Sequence, residues 1–316
     1  MLKRIGIILG ILVVLLAAVW LKLRGPDIPY ETLEAKYTNG ASRFIDLPGG
    51  FHVHYQDDGD LGAPTVVLLH GYGDSYTSWE GWVQQLKTGF HLLSLDFPGH
   101  GLTRAPEGYS LSGEGLADFV DAFAAQLNLP QFAVAGNSMG GGVAWQLALR
   151  HPQRLNALIL VDAAGFPNEK PPAAVPLAFK ILKYPLGRAL LRNIDNRPLI
   201  DEGLRTDVFD KALVTPALVD RWAEFQRAPG HRAILMSVSM RSLMSASPEV
   251  LRGLNVPTLI LHGQNDVLIE PASAGKFAAA IPGAKVVLYP NVGHLPQIEI
   301  PQRSSADVAE FLKAAR

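Results

Sequence analysis

The sequence predicts an α/β fold: a mostly parallel sheet with helices on both faces and an inserted helical cap. Short β-rich runs alternate with helical stretches along most of the chain, which implies right-handed crossovers around one sheet. Several of those runs are nearly all apolar, as strands buried on both faces must be. Residues 166–246 break the alternation with helix-like sequence, rich in proline at its start, and this stretch is read as the cap.

The elements follow in order. After Lys3 and Arg4, residues 5–21 run for 17 positions without a charge, and Lys22 and Arg24 follow. At about 1.5 Å per residue such a helix is roughly 25 Å long, near the lower limit for a bilayer crossing once the basic flanks snorkel. Residues 1–24 are therefore expected to be a single-pass anchor that places the protein at a membrane. A cleaved signal peptide is the competing reading, but its apolar region is usually about 7 to 15 residues and ends in a small-x-small site. Here Ala17 and Ala18 lead into Val19, Trp20 and Leu21. Basic residues balance across the span, so the positive-inside rule does not set the side that holds the rest of the chain, with export only weakly favoured. Residues 25–41, carrying Pro26 and Pro29, are expected to be a tether, and 42–316 the folded domain.

Within that domain the β-rich runs are 51–56, 65–69, 91–95, 132–135, 157–161, 258–261 and 285–289. Helical patterns cover 76–87, 111–127, 139–150, 271–280 and 301–313, with Pro271 and Pro301 suited to a first helical turn. A chain of 316 residues with 48% hydrophobic content can bury one sizeable core. Lys and Arg number 28 against 29 for Asp and Glu, so the net charge of −1 provides no field to attract nucleic acid. Cysteine is absent, which excludes disulfides, thiolate nucleophiles and thiolate metal sites.

The sharpest local signal is Gly136-Asn137-Ser138-Met139-Gly140, after a β-rich run and opening a helical one. A serine on a tight strand-to-helix turn is pushed into an exposed, strained position, and glycine two residues to either side leaves room for the backbone. A serine hydroxyl needs a neighbouring base. Of the nine histidines, His294 in Asn291-Val292-Gly293-His294 lies between the last strand and the last helix, at the sheet edge expected for Ser138. His52, His54, His91, His151, His231 and His262 lie in strands, at a helix end or in the cap and are read as structural or solvated.

The imidazole in turn needs a carboxylate. Asp266, at the end of the run 258–261, is the expected acid, with Asp162 as the alternative. Charge on a tetrahedral intermediate calls for preorganised donors. The backbone N–H groups of Met139 and of Tyr72, in His70-Gly71-Tyr72-Gly73, are the candidates for this oxyanion hole. His70 is read as bracing its loop, and Asp96-Phe97-Pro98-Gly99-His100-Gly101 as a structural turn. Met236, Met240 and Met244 recur every four residues, which suggests one helical face that is core or lines an acyl pocket.

The order and spacing of HGYG, DFPGHG, GNSMGG, GQND and GH resemble the α/β-hydrolase superfamily from about residue 44 to the C-terminus, the cap excepted. The resemblance implies an eight-stranded, mostly parallel sheet, no cofactor or metal, and Ser138, Asp266 and His294 as a catalytic triad. GNSMGG with a helical cap and an apolar N-terminus is similar to monoacylglycerol-lipase-like and bacterial lipase or esterase members. That implies a carboxylic-ester hydrolase with apolar, acyl-glycerol-like esters as small-molecule substrates. Carbon–carbon bond hydrolases share GNSMGG but typically carry tryptophan after the histidine, where this chain has Leu295. A non-catalytic binding protein of the same fold is the alternative from another class.

Overall fold

A computed structural model describes residues 10–11, 14–15, 18–169 and 174–315. Eight strands form one sheet in the order β1-β2-β4-β3-β5-β6-β7-β8. They are β1 (Ser42–Leu47), β2 (Phe51–Gly59), β3 (Thr65–Leu69), β4 (His91–Leu95), β5 (Phe132–Asn137), β6 (Leu155–Val161), β7 (Thr258–Gly263) and β8 (Lys285–Tyr289). β2 runs antiparallel to both β1 and β4, and every other neighbouring pair is parallel. The β-rich runs of the sequence fall on seven of these strands; β1 lacks an apolar run because only Leu47 of its six residues is buried.

The apolar strands are continuous because alternate residues serve opposite faces. Val67, Leu69, Leu93, Leu95, Val134, Leu158 and Leu160 belong to one cluster, which packs Phe123, Trp145 and Phe277 from the helices Gly113–Gln126, Met139–Arg150 and Ala272–Ala280. Val66, Leu68, Leu92, Ala133, Ala135, Ile159 and Val161 belong to the other, under Trp82 and Phe311 from the helices Glu80–Leu86 and Pro301–Ala314. Trp82 Nε1 donates to Ser304 Oγ at 2.8 Å, so this buried indole joins the two helices without an unpaired N–H.

Between β6 and β7 the cap contributes helices Arg197–Asp207 and Pro216–Gln226 with a small core of their own. That core gathers Ile200, Leu204, Val208, Val219 and Trp222 around Leu295, the neighbour of His294. The methionine run does not form one helix. His231–Leu235 ends before Met240–Leu243 begins, and Ser237 Oγ donates back to Ile234 O at 2.6 Å, a local hydrogen bond that competes with helix continuation.

The N-terminus requires two corrections. Among the described residues no helix is long and apolar enough to cross a membrane, which overturns the expected anchor and the membrane location drawn from it. Of the apolar run, 5–9, 12–13 and 16–17 lie outside the described residues; the described helical residues end at Leu23, where the chain joins the cap instead of leaving the protein. Hydropathy alone had suggested the span. Asp195 N donates to Leu23 O at 2.8 Å and Gly25 N to Asn193 O at 2.9 Å.

The expected tether is likewise packed. Helix Tyr30–Tyr37 buries Leu33 against Tyr76, Leu102, Phe225 and Ala228. Ion pairs Asp27–Arg232, Glu34–Arg104 and Lys36–Glu224, at 2.6, 2.6 and 2.7 Å, flank it. These contacts are all long-range in sequence, so proline content could not reveal them.

Candidate active site

Ser138 sits at the end of β5, immediately before helix Met139–Arg150, with φ 54° and ψ −116°. The left-handed φ is costly for a residue with a side chain and persists only where the surroundings enforce it. The two flanking glycines show how. A Cβ on Gly136 would come within 2.2 Å of Gly140 O, and one on Gly140 within 2.1 Å of Leu69 O. Both positions therefore exclude any side chain, and the turn can close so tightly only because they do.

Asp266 lies just beyond β7. Its Oδ1 accepts from the backbone N–H of Leu268 and Ile269, at 2.8 and 3.0 Å, which holds the carboxyl fixed. Its Oδ2 meets His294 Nδ1 at 2.6 Å. Gly263 and Gly293 make this approach possible, since a Cβ on Gly263 would strike Gly293 O at 1.9 Å. Asn137 ties the serine turn to the histidine loop, donating from Nδ2 to His294 O at 3.1 Å.

Burial alone would lower the His294 pKa, but the charge of Asp266 and its hydrogen bond outweigh it, helped by Asp162 and Asp207, and the pKa rises to about 9. For Asp266 burial pushes upward, and His294 more than compensates, leaving the carboxyl below its usual range. Asp162, at φ 44° beyond β6, is held well above the usual range by burial and by the charge of Asp266. Its Oδ1 accepts from Gly263 N at 2.9 Å. His294 Nδ1 is thus engaged by Asp266, not by Asp162, the alternative acid.

Ser138 and His294 line the same cavity, and among the described residues the Ser138 hydroxyl makes no hydrogen bond. Tyr72 lines that cavity too, and the loop before it runs over the serine, an added Cβ on Gly71 lying 3.4 Å from Ser138 Cβ. Met139 opens its helix, so its N–H has no intrahelical acceptor. His70 braces this loop, with Nδ1–H donating to Gly71 O at 2.7 Å and Nε2 accepting from Phe97 N at 3.1 Å. Asp96 organises the turn after β4, accepting from Tyr76 N at 2.8 Å and Leu102 N at 3.0 Å.

The cavity has two compartments. The larger, about 360 Å³, is lined by Met139, Ala164, Val238, Leu243 and Met244, with Lys183 and Arg188 also on its wall. The smaller, about 120 Å³, is walled largely by the cap and carries Asp74, Asn196, Asp207, Trp222 and Gln226. Ser138, Tyr72, Phe179, Leu182, Met236, Leu268 and His294 border both.

Asp207 had no signal in the sequence. It ends the cap helix Arg197–Asp207, and its backbone oxygen accepts from His294 N at 2.6 Å. Burial, first, raises its carboxyl pKa to about 7. Glu299 clamps the same junction, accepting from Gly293 N at 2.8 Å and from Phe209 N at 2.6 Å.

A family model described as the alpha/beta hydrolase fold matches residues 64–301. The chain belongs to that family. Similar proteins of the family act on more than one chemical class. A monoacylglycerol lipase from Xenopus laevis is 28% identical over 79% of this chain and 76% of its own length. A 2-hydroxy-6-oxononadienedioate/2-hydroxy-6-oxononatrienedioate hydrolase from Comamonas testosteroni is also 28% identical, over 82% of this chain and 91% of its own. Among solved structures, a meta-cleavage product hydrolase from Pseudomonas fluorescens superposes with a TM-score of 0.75 at 26% identity, covering 87% of this chain and 98% of that one.

Proposed function

We propose that the protein is a serine hydrolase that cleaves carboxylic esters with an apolar acyl group through an acyl-enzyme. The observation that carries this reading is the hydrogen-bonded Asp266–His294 pair on the wall of a cavity that Ser138, held at φ 54°, also lines. In it, Ser138 Oγ attacks the ester carbonyl carbon while its proton passes to His294 Nε2. The N–H groups of Met139 and Tyr72 hold the oxyanion. Collapse breaks the carbon–oxygen bond, and His294 returns the proton to the leaving alcohol. Water, deprotonated by His294, then releases the acid and frees Ser138.

The divided cavity supports an ester with unlike halves, the larger compartment receiving the acyl chain. The second reading, carbon–carbon bond hydrolysis of a vinylogous diketone, draws on the similarity to the Comamonas and Pseudomonas proteins. Against it stand Leu295 after His294 and, for a dianionic substrate, two carboxyls and no lysine or arginine among the residues of the smaller compartment.

A fluorophosphonate probe should label the purified protein, and Ser138→Ala should lose both labelling and turnover of p-nitrophenyl esters. Equal labelling of that variant would remove Ser138 from the mechanism. Turnover of a vinylogous diketone with none of any ester would select the second reading, and well-folded protein with neither labelling nor turnover would mark a binding protein.

A further inference from the structure

Ser138, Asp266 and His294 are held from different sides. Ser138 is fixed by its own turn, and the Asp266 carboxyl by the N–H groups of Leu268 and Ile269. The loop that carries His294 meets the sheet through Asn137, which donates to His294 O at 3.1 Å. It meets the cap through each residue from Gly293 to Leu295. An added Cβ on Gly293 would lie 2.2 Å from Asp207 O and 3.0 Å from Phe209 N, so the end of the cap helix rests directly on the loop. His294 N donates to Asp207 O, and Leu295, 2% exposed, is buried in the small core of the cap.

One side chain ties the two segments together. Glu299 ends the short helix Pro296–Glu299, and its carboxyl folds back over the loop. Oε1 accepts from Gly293 N at 2.8 Å and Oε2 from Phe209 N at 2.6 Å, although the two donors come from opposite sides of the junction. Burial raises the carboxyl pKa, and the N–H groups of Phe209, Gly293, Leu295 and Asp210 pull it back. Hydrogen bonds to a carboxylate are shorter and stronger than neutral ones, and an amide cannot accept on both of its terminal atoms. Glu299 lines neither compartment, so it can act on a substrate only through the loop it holds.

We infer that Glu299 is a positioning residue for the catalytic base: by clamping Gly293 to Phe209 it holds His294 in register with Ser138, and it makes that register depend on how the cap is seated. The inference rests on the serine-hydrolase reading above, in which His294 is the base. A change in the cap far from the reacting atoms then alters the chemistry without altering a substrate contact.

The test compares the full chain with two variants that open the clamp from either side. Glu299→Gln keeps the size of the side chain and one accepting oxygen, but sets an NH2 group against an N–H on the other. Phe209→Pro deletes the N–H on the cap side; Val208 before it is already extended, at φ −97° and ψ 152°, as a residue preceding proline must be. Each protein is assayed for turnover of a p-nitrophenyl ester, for the far-downfield proton NMR signal of His294 Nδ1–H in its hydrogen bond to Asp266, and for thermal unfolding. Glu299→Gln should lose about 10- to 100-fold in kcat with KM nearly unchanged, up to the loss that a misplacement of about 1 Å brings. Its NMR signal should shift or broaden, and Phe209→Pro should reproduce both effects. A brace that only stabilises the fold would lower the melting temperature and leave kcat and the signal in place; that result in folded Glu299→Gln overturns the inference. If Glu299→Gln does not fold, the same readouts on Phe209→Pro decide. An unimpaired, folded Phe209→Pro beside an impaired Glu299→Gln overturns the dependence on the cap. A wild type that turns over neither ester nor diketone removes the hydrolase reading itself, and with it the base that Glu299 positions.

Discussion

The sheet and the cap supply opposite walls of one cavity, yet their parts are held by different physics. On the sheet side, Ser138 is positioned by steric exclusion at Gly136 and Gly140, where an added Cβ would meet backbone oxygen at 2.2 and 2.1 Å. On the cap side, Asp207 is positioned by a helix end packed over the histidine loop and by one backbone hydrogen bond to His294. The glycines that this exclusion demands sit two residues to either side of Ser138, so it leaves a sequence signature even where, as at Gly140, the backbone it makes room for is Leu69 far off in the chain. Packing of the cap joins residues some ninety positions apart and leaves none.

This difference predicts that the two walls fail differently. The largest effect belongs to the sheet side. Ser138→Ala should reduce kcat by about 10⁴- to 10⁶-fold, since members of a triad act as a unit, with no loss of thermal stability. Gly140→Ala should lose activity and stability together, because the added methyl collides with Leu69 O. Paired activity and melting measurements decide it: a stable, inactive Gly140→Ala protein would show that the turn tolerates a side chain and that its strain is not sterically enforced.

Next in size is the packing of the N-terminal segment on the cap and the sheet. Leu33 is 1% exposed among Tyr76, Leu102, Phe225 and Ala228. Leu33→Ala should cost about 2–5 kcal/mol in denaturant unfolding, the usual range for a buried leucine. A tether would lose nothing, so a change below about 0.5 kcal/mol would restore that reading of residues 25–41.

How much was legible follows the same division. The alternation of strands and helices, the glycine-flanked serine, Asp266 at a strand end and His294 before the last helix all rest on local pattern, and the structure puts Ser138 and His294 on one cavity wall, with Asp266 hydrogen-bonded to His294. The chain near residue 30 shows proline, glycine and mixed charge, which read as a tether because the partners of Leu33 lie between about 40 and 200 residues away. In the cap, Asp207 is one of several acids within 201–210, with Asp201, Glu202 and Asp210, and no periodicity separates it from them. The methionine spacing suggested a continuous helix, whereas Ser237 and Ser239 interrupt it, Leu111 N donating to Ser237 Oγ at 3.0 Å. Even so, Met236 and Met244 both reach the larger compartment.

A smaller effect measures the electrical contact between the walls. The base must be neutral to accept the Ser138 proton, so kcat/KM should rise with pH through the His294 pKa, raised to about 9 against the pull of burial by Asp266 first and then by Asp162 and Asp207. Asp207, itself raised to about 7, is ionised there. Asp207→Asn removes one of the charges that stabilise the imidazolium, and the acid limb should move to lower pH. An unmoved limb in the pH–rate profile would mean that the cap carboxyl does not reach His294 electrostatically.

The smallest effect concerns Asp74, which faces the same compartment from the sheet side. Burial raises its carboxyl pKa to about 7 despite the hydrogen bond that Oδ1 accepts from Ser75 N at 2.7 Å. A folded-state pKa above the unfolded value near 3.8 means that the folded protein holds the extra proton. Its contribution to stability is therefore full below about pH 4 and is lost as pH rises through about 7. Asp74→Asn carries no titrating proton and keeps an oxygen for Ser75 N, so it should escape that loss. The melting temperature of the variant relative to the wild type should thus climb between pH 4 and 7 and level off above, while Asp207, present in both proteins, cancels from the difference. If the gap were instead the same at every pH, the ionisation of Asp74 would not be coupled to folding, and of the two carboxyls in the compartment only the one on the cap would be under strain.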